Sequence, residues 1–141
     1  MCTVTFIPFS KSDFILTSNR DEAPGRETLL PDLYIEEEVE IIYPKDKVAG
    51  GTWIGMGERK RVVSLMNGGF EPHRRKPSYA RSRGLITKDL LTTSDILKYL
   101  SETDFSEIEP FTVIAVDWNE SLKLLEIVWT GEEMHVLEKP L

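Results

Sequence analysis

Two runs at the start of the chain, Cys2 to Phe9 (CTVTFIPF) and Phe14 to Asn19 (FILTSN), are apolar, β-branched and aromatic, and the polar Ser10-Lys11-Ser12-Asp13 separates them. Runs of this kind with a short polar break predict a β-hairpin. A turn centred between Lys11 and Ser12 sets Phe9 against Phe14, Ile7 against Leu16 and Cys2 against Asp21. Register matters, because a slip of one residue would change every partner. The second residue of the chain is thus expected to lie beside the charged run Asn19-Arg20-Asp21-Glu22.

Cys2 is the only cysteine among 141 residues. Once an initiator methionine is removed, a cysteine at this position carries both a thiol and a free α-amine. The thiolate is the nucleophilic form, and an α-amino group titrating near ~8 can accept the thiol proton without a separate histidine. A neighbouring cation such as Arg20 favours the thiolate, and Asp21 is placed to hold an α-ammonium or to fix the arginine. With Met1 retained, the Cys2 nitrogen is an amide, neither base nor cation. The thiol then loses its built-in base.

The segments Met1-Cys2, Ser18-Asn19-Arg20-Asp21-Glu22, Gly50-Gly51-Thr52-Trp53-Ile54-Gly55, Leu65-Met66-Asn67 and Arg81-Ser82-Arg83-Gly84 follow one another along the chain. In that order they resemble the NRDE family, named for its Asn-Arg-Asp-Glu run, which includes the transport and Golgi organisation 2 proteins. The chain also looks like a distant relative of the cysteine N-terminal nucleophile hydrolases, the choloylglycine hydrolase and penicillin V acylase group. These likewise begin Met-Cys and carry an arginine and an aspartate at the end of the first hairpin. The resemblance implies an α+β fold, a four-layer αββα sandwich of antiparallel sheets. It implies Cys2, Arg20, Asp21 and Asn67 as a catalytic set, with Asn67 stabilising the oxyanion, and Asn19, Arg81 and Arg83 as substrate-binding residues. The implied activity is hydrolysis of a non-peptide carbon–nitrogen bond, a linear amide. Members of the NRDE family have also been connected with haem movement and with lipid or coenzyme A metabolism. The alternative is therefore a non-enzymatic protein that binds or moves a small molecule.

In that family, strands like those ending near Leu137 are followed by roughly a further half-protein that opens with a Gly-Leu-Ser-Asn-like segment. This chain ends Lys139-Pro140-Leu141. The related hydrolases place a second oxyanion asparagine and a further arginine in that region, and no residue here is assigned those roles. Residues 1 to 141 are expected to be one domain, the N-terminal portion of a longer family domain, with exposed sheet edges that favour pairing with another copy.

Several function classes drop out. A net charge of −7 argues against nucleic acid, since lysine and arginine contacts to phosphate supply most of that affinity. No apolar stretch approaches the ~20 residues of a membrane span, and a single cysteine cannot form an internal disulfide, so a reducing cytoplasm is expected. His73 and His135 stand alone, without ligand spacing, so neither a metal nor another cofactor is implied. The stretch Pro72-His73-Arg74-Arg75-Lys76-Pro77, with Arg81 and Arg83, gathers basic residues in an acidic protein. It reads as a solvated loop or as a surface that clamps a carboxylate, a phosphate or a haem propionate.

The remaining chain is read as follows. Ala23 to Glu38, with the acidic Glu36-Glu37-Glu38, is an irregular exposed segment and a solvated face. Thr52 to Met56 and Arg61 to Met66 form a second hairpin, with Trp53 a core aromatic, and Asn67-Gly68-Gly69 turns sharply. Leu85 to Leu91 and Ser94 to Leu100 are helices, the latter capped by Thr93 or Ser94. Phe111 to Val116, Leu122 to Trp129 and Met134 to Leu137 are strands buried on both faces.

Overall fold

The computed structural model describes all 141 residues. The expected first hairpin is present as β1 (Thr3–Pro8) and β2 (Phe14–Asn19), antiparallel and forming a two-stranded sheet of their own. Its register differs from expectation by one residue: Thr3 pairs with Asn19, Phe6 with Leu16 and Pro8 with Phe14. The reason lies in the turn. Phe9 and Ser10 both donate backbone N–H to the Asp13 carbonyl, and the Ser10 hydroxyl bonds the Asp13 carboxylate at 2.6 Å, so Phe9 belongs to the loop and not to the strand. The observed register puts Val4, Phe6, Phe14, Leu16 and Ser18 together on the half-buried face. Continued one step, it sets Cys2 opposite Arg20 and Met1 opposite Asp21.

The segment read as irregular is instead the longest hairpin of the molecule, β3 (Thr28–Glu36) and β4 (Val39–Asp46). Glu37 and Glu38 make its two-residue turn in left-handed conformation, with φ of 50° and 64°. Pro31 falls where the register shifts between Leu29 and Asp32, on an edge strand, where a missing N–H costs no ladder bond. Glu36 is not on a solvated face: it accepts from the Tyr43 hydroxyl at 2.5 Å and pairs with Lys88 at 2.9 Å.

From β3 the chain meanders through β5 (Ile54–Gly57), β6 (Arg61–Asn67), β7 (Phe111–Asp117), β8 (Lys123–Trp129) and β9 (Met134–Lys139), giving a seven-stranded antiparallel sheet in sequence order. The helices α1 (Arg83–Thr92) and α2 (Ile96–Glu102) are inserted between β6 and β7. Asp95, and not Thr93 or Ser94, caps α2 by accepting from the Lys98 N–H. Ser82 caps α1 through the Gly84 N–H.

Pleating sorts the sheet into two faces. Ile41, Val63, Leu65, Val113, Ala115 and Ile127 pack with Ile86, Leu90, Leu91, Ile96 and Leu100 of the helices in the main core. Each valine, leucine or isoleucine among them contributes ~1.5–3 kcal/mol when removed from water. Val62, Val116 and Leu122 face the other way and take Phe6, Phe14 and Leu16 of the hairpin, which also binds through a Ser18–Ser64 hydroxyl contact of 3.0 Å. The protein is therefore α+β, with helices on one face of a large sheet and the hairpin on the other.

One buried ion pair ties these layers together. Arg61 donates to Asp117 from Nε (3.1 Å) and Nη2 (2.9 Å), and from Nη1 to the carbonyls of Leu90 (2.8 Å) and Thr93 (2.9 Å) at the end of α1. Arg59 donates to Thr92 O at 2.5 Å. The α1 C-terminus has no basic residue in its last turn, and Arg61 on β6 and Arg59 in the β5–β6 turn answer the carbonyls of Leu90, Thr92 and Thr93 instead.

Candidate functional site

Where the hairpin, the β4–β5 loop, the end of β6 and the start of α1 meet, they enclose a cleft of about 390 Å³. Two glycines make that meeting tight. A Cβ on Gly51 would lie 2.5 Å from the Gly84 carbonyl carbon, and one on Gly84 would lie 2.9 Å from Thr52 N, so the loop crosses the first turn of α1 backbone to backbone. Thr52 N–H donates to Gly84 O across this crossing. On the far side, Gly68 turns the chain out of β6 with φ of 90°.

Cys2, half-buried, reaches the cleft from the start of β1, and Arg20 from the end of β2. The Arg20 guanidinium lies 3.9 Å over the Trp53 ring and donates to Thr28 Oγ1 at 3.2 Å. Trp53 is thus a half-buried wall of the cleft under a stacked cation and not a member of the core. Behind Arg20 sits a charge network that sequence reading missed. Arg26 donates to Asp46 (2.6 Å) and Glu22 (3.0 Å), and Arg20 approaches Glu22 (3.5 Å) and Asp46 (3.9 Å). Asp46 also accepts the N–H groups of Val48 (2.8 Å) and Ala49 (2.9 Å). Burial alone would push its carboxyl up, but those N–H groups and the Arg26 guanidinium outweigh burial and hold it below the usual carboxylate range. Arg26 is correspondingly held above its ordinary value, its bonds to Asp46 and Glu22 overcoming desolvation. The available signals were the four-residue spacing of Glu22 and Arg26, and an aspartate ahead of Val48-Ala49-Gly50 that reads as an Asx turn.

Asp21 lines the same cleft and accepts from the N-terminal ammonium of Met1. Asn67, the last residue of β6, is exposed at the cleft and lies on the pleat face of Val63 and Leu65, so it reaches the cavity around the strand end. Asn19 stands apart: its amide oxygen accepts from Thr3 N–H at 2.6 Å and its nitrogen donates to Met1 O at 3.4 Å, bracing the terminus from outside. Arg81 and Arg83 both line the cavity, yet both are engaged. Arg81 forks onto Asp89 at 2.6 and 3.2 Å, which raises its pKa. Arg83 donates to Pro110 O (2.9 Å) and pairs with Glu109 (3.2 Å), and burial pulls it below the ordinary guanidinium value. His73 meets the other oxygen of Glu109 at 3.1 Å, which pins the basic loop to the body of the protein.

A family model described as Transport and Golgi organisation 2 matches residues 1–138. The chain belongs to the transport and Golgi organisation 2 family. Among curated members, the homologue of mouse (Mus musculus) is 33% identical over 132 residues, covering 86% of this chain and 47% of that protein. The human (Homo sapiens) homologue is 32% identical over 128 residues, covering 83% of this chain and 45% of the relative. The chain spans about half the length of these family members. Every residue of the cleft falls inside the segment matched by the transport and Golgi organisation 2 model. No helix is long and apolar enough to cross a membrane.

Proposed function

We propose that, once Met1 is removed, the protein works as an N-terminal-cysteine amidohydrolase on a linear amide of a small molecule. The observation that carries this reading is the convergence of Cys2, Arg20 and Asn67, from three separate elements, on one cleft. In the reaction, the Cys2 sulfur bonds to the amide carbon while its α-amine takes the thiol proton. The Asn67 amide donates to the oxyanion, and the carbon–nitrogen bond breaks as the α-ammonium returns that proton to the departing amine. Water then cleaves the acyl thioester and restores the thiol. Asp21, which already accepts from the terminal ammonium of Met1, would hold the Cys2 ammonium one residue later. Arg20, fixed between Trp53 and Thr28 in the cleft that Cys2 also lines, would supply the cation that favours the thiolate.

The same reading extends to the fold and its setting. The row Leu33, Ile42 and Met56 continues Val62 and Val116 across the sheet, on the face the hairpin covers, and is 44–54% exposed. A fuller second sheet over that row, itself covered by helices on its outer face, would make the four-layer αββα sandwich, and an unprotected thiol suits a reducing cytoplasm.

The binding alternative rests on the charged lining of the cleft, which can hold a small molecule without chemistry at Cys2, and a retained Met1 would leave only that role because the Cys2 nitrogen would be an amide. Intact mass of the cellular protein separates the two. Loss of one methionine is expected, together with iodoacetamide alkylation faster than that of free cysteine at mildly acidic pH, slowed by Arg20→Met. Cys2→Ser is expected to abolish amide hydrolysis. A retained Met1, or alkylation no faster than free cysteine, would remove the hydrolase reading.

A further inference from the structure

The cleft is cationic in an acidic protein: six of its lining side chains are lysine or arginine and four are carboxylates. Most of these charges are already answered. Arg20 and Arg26 share Glu22 and Asp46, Arg83 has Glu109, Arg81 has Asp89, and Asp21 has the terminal ammonium. What remains is two consecutive residues on the wall formed by the loop between β6 and α1. Arg75 is 78% exposed and approaches only Glu109, at 3.9 Å, a carboxylate already held by Arg83 and His73. Lys76 makes no ion pair, and its backbone N–H is fixed by the Tyr79 hydroxyl at 2.9 Å.

We propose that the ligand of this cleft carries an anionic group, carboxylate or phosphate, which Arg75 and Lys76 recognise while its amide end lies at Cys2. Arg81 and Arg83, the arginines singled out by sequence, instead keep the wall in place through Asp89, Glu109 and Pro110 O. The orientation, amide toward Cys2, rests on the nucleophile reading above. The anion site rests on the charge inventory alone. A guanidinium and an ammonium on consecutive residues lining one cleft suit an oxyanion with several acceptor oxygens, the arginine as a fork and the lysine as a point charge. Both are solvated until occupied, so the recognition is expected to weaken with salt.

The test uses the Cys2→Ser protein, in which turnover is expected to be lost, and calorimetric titration with three p-nitroanilides of matched length: glutaryl, its neutral glutaramide analogue, and 4-phosphonobutanoyl. At least one of the two anionic compounds is expected to bind about tenfold more tightly than the neutral one at low salt, the scale that two solvent-touching ion pairs supply. The tighter of the two identifies carboxylate or phosphate as the anion. The double variant Arg75→Gln/Lys76→Gln is expected to erase that preference. Equal affinities for all three compounds, or a preference that survives the double substitution, would overturn the assignment. If the preference is found but Met1-free protein with Cys2 intact hydrolyses none of the three, the anion site stands and the nucleophile reading alone falls.

Discussion

Replacing Arg61 with methionine tests how the sheet and α1 are joined. Methionine keeps the apolar stem but deletes every donor. Asp117 loses both its guanidinium contacts, at 2.9 and 3.1 Å, and the carbonyls of Leu90 and Thr93 lose theirs. Arg61 is 5% exposed and its contact with the Leu90 carbonyl is buried, so water is a poor replacement donor there, whereas the Thr93 carbonyl is only half-buried. Breaking a buried pair from one side costs ~3–5 kcal/mol, much of it the desolvated partner left behind. The Asp117 side chain is 21% exposed, which lets solvent relieve part of that cost and favours the lower end, about 3 kcal/mol. For a domain of this size that corresponds to a melting point lower by roughly 10 °C. Urea denaturation followed by the fluorescence of Trp53, Trp118 and Trp129 measures it, since these residues sample the cleft, the hairpin interface and the core. Asp117→Asn in the Arg61→Met background should cost less than the two single changes together. A loss below ~1 kcal/mol for Arg61→Met, or strict additivity in the double variant, would refute the view that this pair couples strand to helix.

Two further outcomes follow from the cleft. The Asp46 carboxyl is held below its ordinary range in the folded state, so its contribution is complete above pH ~4 and is lost as pH falls toward the folded value; Asp46→Asn should be less stable than wild type at neutral pH, and the two urea midpoints should converge in strong acid. Gly51→Ala places a methyl 2.5–2.9 Å from three backbone atoms of Gly84, so it should destabilise by about 1–3 kcal/mol in the same denaturation assay.

The hairpin shows how near sequence reasoning came and where it slipped. Counting from the middle of Ser10-Lys11-Ser12-Asp13 gave the wrong register, yet the pattern held a better guide. Val4 and Phe6 alternate with threonines on one strand, and Phe14 and Leu16 share a parity on the other, so only pairing even with even keeps the apolar residues on one face. The β3–β4 hairpin was hidden by composition: its turn is two glutamates in left-handed conformation, where asparagine and glycine are the usual signal, and Pro31 argues against a strand until its edge position is known. Cys2, Arg20, Asp21 and Asn67 were singled out through the family resemblance, and what the structure adds is that all four line one cleft. The partners of Arg61 and Arg83 were not legible, since each depends on a contact that spans much of the insertion between β6 and β7, which no local periodicity records.

That insertion also has a kinetic side. Every neighbouring pair in the large sheet is joined by a short connection except β6 and β7, which must find each other across residues 68–110. Closing so long a loop has an entropic cost that local hairpins avoid, and it comes before the paired strands return any stabilisation. The basic loop, Ser82, Gly84 and Glu109 all lie within the closed segment, and Arg20 finds Trp53 only when the hairpin lands on the assembled face. The hairpins can therefore form early and independently, whereas the cleft comes into being late and all at once, with the closure of that single long loop.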